Sequence, residues 1–244
     1  MATHTSRAAT ETQNHPNSEL TPTVTHMHHQ HISIAKTARY VTLGTLGPET
    51  RQIWFLCHGY SQLAEDFLAY CKPLEHESRF LIAPEGLSRF YPKGRTGKVG
   101  ASWMTREDRE AEITDYVAYL DAIYKEVFTQ VGRGRITVHV LGFSQGVATA
   151  CRWVARGQAK LDHLVMWSER LPPEFAAPQL VDRFRDLRLS VVNGRADEYI
   201  PETALDEHAS RLQQLGLFFE DIRFDGGHRM DKETLKGLVR EPDD

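Results

Sequence analysis

The sequence predicts an α/β protein built on a doubly wound, mostly parallel sheet with helices on both faces. Three observations carry this. Apolar runs of strand length alternate along the chain with amphipathic helical stretches, as βαβ units require. Two of the runs, Gln52 to Cys57 and Phe80 to Ala83, are continuously apolar, the pattern of strands buried on both faces. A third, Ile136-Thr137-Val138-His139-Val140-Leu141, passes through Gly142-Phe143-Ser144-Gln145-Gly146 into a small-residue helical segment, Val147 to Ala155. Strand, five-residue turn and helix then carry a serine at the apex, with glycines at ±2 so that strand and helix pack closely.

The elements follow in order. Residues 1–25 are polar and rich in Thr, Ser, Asn, Gln and Pro, and a disordered tail is expected there, with a single domain over 26–240. His26, His28, His29 and His31 could hold a metal, but alternation through Ile32-Ser33-Ile34 splits them between two faces, so the polar start of an edge strand is expected. Tyr40 to Gly44 reads as a strand, and Gly47-Pro48 marks a turn before the Gln52–Cys57 strand. A helix is expected over Gln62–Lys72 and a strand at Phe80–Ala83. Leu87 to Met104 has no periodicity and carries Pro92, Gly94, Gly97 and Gly100, and loops this long are usually functional. Thr105 is expected to cap a long helix with an apolar stripe of Ile113, Tyr116, Val117, Leu120, Tyr124 and Val127. Strands are expected at His163–Ser168, Leu187–Asn193 and Leu217–Phe224, with helices at Glu202–Leu215 and Arg229–Val239.

With 244 residues, 41% of them hydrophobic and 25% charged, and a net charge of −4, the chain has the composition of a soluble globular protein and fits one α/β domain of ordinary size. No basic excess predicts nucleic acid as a partner, and no apolar run predicts a membrane span or the h-region of a secretory signal. Cys57, Cys71 and Cys151 are odd in number and lack metal-like spacing, so a cytoplasmic location is expected. The expected partner is a small molecule, and the expected state a monomer or a homodimer.

A serine hydroxyl becomes a nucleophile when a histidine takes its proton and a carboxylate holds that imidazole in the right tautomer. In a strand–turn–helix setting the chain order is Ser, Asp or Glu, then His, all from carboxyl ends of strands. His208 falls inside a helix and is expected at its surface, whereas His228 follows Gly226-Gly227 at a strand end. Asp197 stands past Val191-Val192-Asn193-Gly194, with Glu198 and Asp225 as rivals. The backbone N–H of Gln145, at a helix N-terminus, and that of Tyr60, after His58-Gly59, are the expected oxyanion donors. His58 itself is expected to be structural. Trp103, ending the long loop, is expected to wall the acyl or alcohol pocket.

At these residues the chain resembles the α/β-hydrolase fold without a large cap domain. Within that fold it resembles the phospholipase/carboxylesterase family that includes acyl-protein thioesterases. Gly142-Phe143-Ser144-Gln145-Gly146 is identical to the family's usual serine elbow. Leu56 to Tyr60 resembles its oxyanion loop, Asn193 to Pro201 its acid segment, Gly226-Gly227-His228 its histidine turn, and Ser102-Trp103 the pair closing its substrate loop. The resemblance implies a serine carboxylesterase that needs no metal or cofactor, with Ser144, Asp197 and His228 as triad and Tyr60 and Gln145 N–H as oxyanion hole. Asn193, Tyr60-Ser61-Gln62 and the charged Ser168-Glu169-Arg170 depart from the family pattern at positions bordering the acyl pocket. A thioesterase or lysophospholipase would use the same residues, and a non-catalytic binding protein could share the fold.

Overall fold

The computed structural model describes residues 27–239. The chain divides into two units, Met1–Lys36 and Thr37–Asp244, a boundary eleven residues beyond the expected one. Residues 27–36 carry no regular secondary structure and are exposed, Ile32 and Ile34 among them, so the edge strand expected at the histidine tract does not form. Two isoleucines among polar neighbours offer too little apolar area to offset the entropy of ordering a strand. His26 and the expected tail lie outside the described residues.

In the larger unit the elements are β1 (Tyr40–Leu43), β2 (Gln52–Cys57), α1 (Ala64–Tyr70), β3 (Arg79–Pro84), β4 (Ser88–Phe90), β5 (Gly100–Ser102), α2 (Arg109–Gln130), β6 (Thr137–Phe143) and α3 (Gln145–Arg156). After them come β7 (His163–Trp167), β8 (Arg188–Gly194), α4 (Glu202–Gln214), β9 (Glu220–Phe224) and α5 (Lys232–Leu238). Seven strands form one sheet in the order β1-β3-β2-β6-β7-β8-β9. Every pair is parallel except β1 against β3 at the edge. This is the layout the sequence predicts. Alternation along β2 explains its unbroken apolarity, since Ile53, Phe55 and Cys57 enter one core while Trp54 and Leu56 enter the other. Side chains of α2, α3 and α4 fill the first core, and those of α1 and α5 fill the second.

Element boundaries moved where local chemistry overrode periodicity. The first turn of α2 starts at Arg109, not at Thr105: the Thr105 hydroxyl accepts the Glu107 N–H at 3.2 Å, and Asp108 adopts a left-handed conformation. In its stripe Ile123 is buried where Tyr124 was expected, and Tyr124 is only partly covered. The last helix begins at Lys232, three residues late, because the Asp231 carboxylate accepts the Thr234 N–H at 3.1 Å and caps it. Leu217 is buried but serves α4 rather than β9, its N–H closing on the Leu212 carbonyl at 3.0 Å past Gly216. The long loop contains the antiparallel β4–β5 hairpin.

A file of polar side chains crosses the sheet near the amino ends of its central strands. His139 Nδ1 lies 3.1 Å from His163 Nδ1, and His163 Nε2 lies 2.9 Å from the Ser190 hydroxyl. Trp54 stacks on His139 with centroids 4.2 Å apart. Such a file needs neutral rings, each with one donor and one acceptor nitrogen. Burial pushes His139 down to about 4 and His163 down to about 3. Burial likewise lowers His58 and His208 to about 4.

A histidine held below its unfolded value leaves stability intact above about pH 6.5, where both states are neutral. Below that pH the unfolded chain takes up protons that the native one refuses, so stability falls as the pH drops toward 4. The urea midpoint is therefore expected to fall steeply between pH 6.5 and 4.5, and His163→Asn is expected to flatten that slope. Urea titrations at stepped pH check both; an unchanged midpoint would contradict the buried neutral rings.

Candidate active site

The carboxyl ends of β2, β6, β8 and β9 meet at one edge of the sheet, and each delivers one sequence-predicted site residue. Ser144 sits between β6 and α3 with φ 51° and ψ −121°, a conformation that costs a non-glycine residue about 1–3 kcal/mol. Its N–H donates to the Trp167 carbonyl at 2.9 Å, tying the turn to β7. The two glycines show why the strain persists. A Cβ on Gly146 would lie 2.0 Å from the Cys57 carbonyl oxygen, and one on Gly142 would lie 2.4 Å from the Gly146 carbonyl oxygen. Only bare backbone lets α3 start directly against β2.

Backbone bonds between the next two loops bring the acid and the histidine together. Arg195 N–H donates to the Phe224 carbonyl and Ala196 N–H to that of Gly226, both at 2.9 Å. Across this seam His228 Nδ1 lies 2.9 Å from Asp197 Oδ2 and 3.2 Å from Oδ1. The Asp197 side chain is 0% exposed and also accepts the Tyr199 N–H at 2.9 Å, which fixes its orientation. An ionised Asp197 requires Nδ1 to carry the proton, leaving Nε2 as the free base. The imidazole is held between Phe143 and Tyr199, with centroids 5.1 and 4.8 Å away. Of the rival acids, Glu198 accepts the backbone N–H of His228 at 3.2 Å, and Asp225 is exposed, 3.6 Å from Arg195. Neither bonds to the ring.

Tyr60 follows the β2 end, where His58 is structural. His58 is fully buried, Nδ1 at 2.8 Å donating to the Gly59 carbonyl and Nε2 accepting the Gly86 N–H at 2.9 Å. Gly59 N–H in turn donates to Gln62 Oε1 at 2.8 Å. Among the described residues neither Tyr60 N–H nor Gln145 N–H has an acceptor. Gln145 acts through its side chain as well. Its Nε2 donates to Ser102 Oγ and the Met104 carbonyl at 3.1 and 2.9 Å, and its Oε1 accepts the Trp103 N–H at 3.2 Å.

Two clefts open at Ser144. One of about 490 Å³ is lined by Tyr60, Phe143, Tyr199, Ile200 and His228; the other, of about 700 Å³, runs along α3 beneath Met104, Leu171 and Pro172. Ser144, Glu169 and Arg170 border both. Ser144 and His228 share the smaller cleft without a hydrogen bond between them.

Two expectations are corrected. Trp103 walls neither cleft: it is 1% exposed, donates Nε1–H to the His58 carbonyl at 2.8 Å and packs on Tyr116. It braces the end of β2 from behind. His208 is not on the surface but 3% exposed, its Nε2 accepting the Leu171 N–H at 3.0 Å beside the larger cleft. The signal was present, since Leu205, His208 and Leu212 share one helical stripe. Of the arginines of the larger cleft, Arg106, Arg152 and Arg211 went unrecognised and Arg170 was noted only as a charged departure bordering the acyl pocket, because two loops and two helices bring the four together. Only Arg152, two turns beyond Ser144 on α3, shares an element with the serine.

No protein-family model and no curated protein matches the chain. Solved structures do. Esterase PE8 superposes with a TM-score of 0.61 at 19% identity, over 83% of this chain and 96% of that one. Acyl-protein thioesterase 2 of Zea mays gives 0.61 at 19%, over 83% and 98%. A carboxylesterase from Mesorhizobium loti gives 0.60 at 20%, over 82% and 93%. The fold is the α/β-hydrolase fold of these esterases.

Gln145→Ala removes the side chain that clamps residues 102–104, at an expected cost of about 1–3 kcal/mol of stability for the unpaired groups it leaves. Urea unfolding measures this, with a matched loss for Ser102→Ala smaller than that for Gln145→Ala.

Proposed function

We propose that the protein is a serine carboxylesterase that hydrolyses esters through an acyl-enzyme on Ser144. The observation that carries this reading is the His228–Asp197 pair, which leaves Nε2 of His228 in the cleft shared with the strained serine. Folds of this type serve many purposes, so the argument rests on the site and not on the likeness to esterases.

In this reading His228 Nε2 takes the Ser144 proton as Oγ attacks the ester carbonyl. Since the hydroxyl and imidazole are not bonded beforehand, a small approach of the two accompanies substrate binding, as is common for unliganded sites. Developing negative charge on the carbonyl oxygen falls to the Tyr60 and Gln145 N–H groups, and each such donor is worth about 3 kcal/mol in the transition state. Asp197 stabilises the imidazolium by accepting its Nδ1–H. The proton then passes from Nε2 to the alkoxide as the C–O bond breaks, releasing the alcohol. Water, deprotonated by the same nitrogen, cleaves the acyl-serine to the carboxylic acid and regenerates the site. Because the leaving oxygen must meet His228, the alcohol part belongs in the smaller cleft and the acyl part in the larger one.

Two measurements test this. A fluorophosphonate probe is expected to form a stoichiometric adduct that peptide mapping puts on Ser144, and Ser144→Ala is expected to abolish both labelling and ester turnover. A folded protein that is neither labelled nor active on p-nitrophenyl acetate would leave a hydrolase-shaped binding protein instead. Asp197→Asn is expected to lower kcat by a factor of about 10³–10⁴ with the fold intact, because the amide forces the wrong imidazole tautomer. Steady-state kinetics with circular dichroism on the variant checks this.

A further inference from the structure

We infer that the larger cleft selects acyl groups ending in a carboxylate, so that the preferred substrates are monoesters of short dicarboxylic acids. This rests on the esterase reading above and names the substrate class of the same site. The cleft is lined by four arginines, Arg106, Arg152, Arg170 and Arg211, against two glutamates, Glu169 and Glu207. That positive balance sits in a chain whose net charge is −4, so it is a local arrangement and not a reflection of composition.

The four do not share one role. Arg211 clamps the cleft wall through the carbonyls of Leu171, Pro172 and Phe175 at 2.8, 2.8 and 3.0 Å. Burial, and then the facing charge of Arg170, hold its guanidinium below the ordinary value. Arg152 is nearly buried, at 8% exposure, and bonds Glu174 at 2.8 Å through Nε; Glu174 also takes Arg109 at 2.5 Å. Arg106 and Arg170 have no ion-pair partner among the described residues, and both border the cleft. The Glu169 carboxylate accepts the Arg170 backbone N–H at 2.9 Å and leaves that residue's guanidinium unpaired. Guanidinium groups without a carboxylate, gathered over a cleft, suit a planar anion that can accept paired hydrogen bonds.

The distance suits a short spacer. Ser144, Ala148 and Arg152 line the cleft at helical spacing, which sets Arg152 roughly 12 Å along the axis from the serine. Met104, Ala148, Leu171 and Pro172 cover the interval with apolar surface for methylene groups.

The test compares monobutyl glutarate with butyl valerate, acyl chains of equal length with and without the terminal charge, by the butanol released. The expected kcat/KM ratio favours the hemiester by about tenfold or more, the factor set by about 1.4 kcal/mol. The ratio is expected to fall toward one in the double variant Arg106→Gln, Arg170→Gln and to stay unchanged in Lys236→Gln on α5. It is also expected to shrink with added salt, since both arginines are exposed. Hydrolysis of butyl valerate with no preference for the hemiester overturns this inference alone, as does a preference the double variant retains. No turnover of either ester in a protein that fluorophosphonate leaves unlabelled overturns the esterase reading and this inference together.

Discussion

The close approach of the Gly146 backbone to the Cys57 carbonyl governs the edge of the sheet that carries Ser144. With no side chain between them, the start of α3 lies against the end of β2, and the serine is pinched between strand and helix in a conformation it would otherwise avoid. The same contact puts the amide after the serine beside the loop that carries Tyr60. Ser144 and the acceptor-free amides of Tyr60 and Gln145 are thus one piece of backbone geometry, set by packing that any larger residue would disrupt. The imidazole and its carboxylate form a second piece, joined by the seam between the β8 and β9 loops. Parallel pairing of β6, β7, β8 and β9 sets the two pieces side by side.

Charge at this edge is arranged by burial. Asp197 is out of water and bonded to an imidazole and a backbone amide, partners that also aim the ring. Glu85, nearly buried at the end of β3, works similarly on the structural side. Burial alone would raise it, but bonds from Arg39 at 2.8 Å and Arg89 at 2.6 Å outweigh that and hold it below the usual carboxylate range. One carboxylate thereby joins the chain entering β1, the start of α1 through Ala64 N–H, and the hairpin.

Most of the fold was legible in the sequence because sheet burial writes itself as continuous apolar runs, as in β2 and β7. The gathering of Ser144, Asp197 and His228 at one edge was legible because turn chemistry at Gly142–Gly146 and Gly226–Gly227 marks strand ends, and a parallel sheet gathers its strand ends on one edge. What failed were features decided by partners remote in the chain. Trp103 looked like a pocket wall because its loop is long, but its indole found the His58 carbonyl forty-five residues away. Thr105 lost its capping role to a two-residue turn. His208 was misjudged because a polar residue in a helix suggests solvent, while its neighbours on the stripe are leucines. The arginine-lined cleft has no linear pattern at all.

The three cysteines give this architecture a built-in clock for opening. All are fully buried, and burial raises each thiol well above its ordinary range, so the reactive thiolate is withheld while the fold is closed. Cys57 and Cys151 belong to the core under α2 and α3, and Cys71 to the core under α1 and α5. A thiol reagent added to the native protein therefore reads two breathing motions separately, one for each face of the sheet. Alkylation of Cys57 has a particular meaning, because its backbone carbonyl is the surface against which the serine turn is built. Its modification rate is the rate at which the Ser144 turn loses its support.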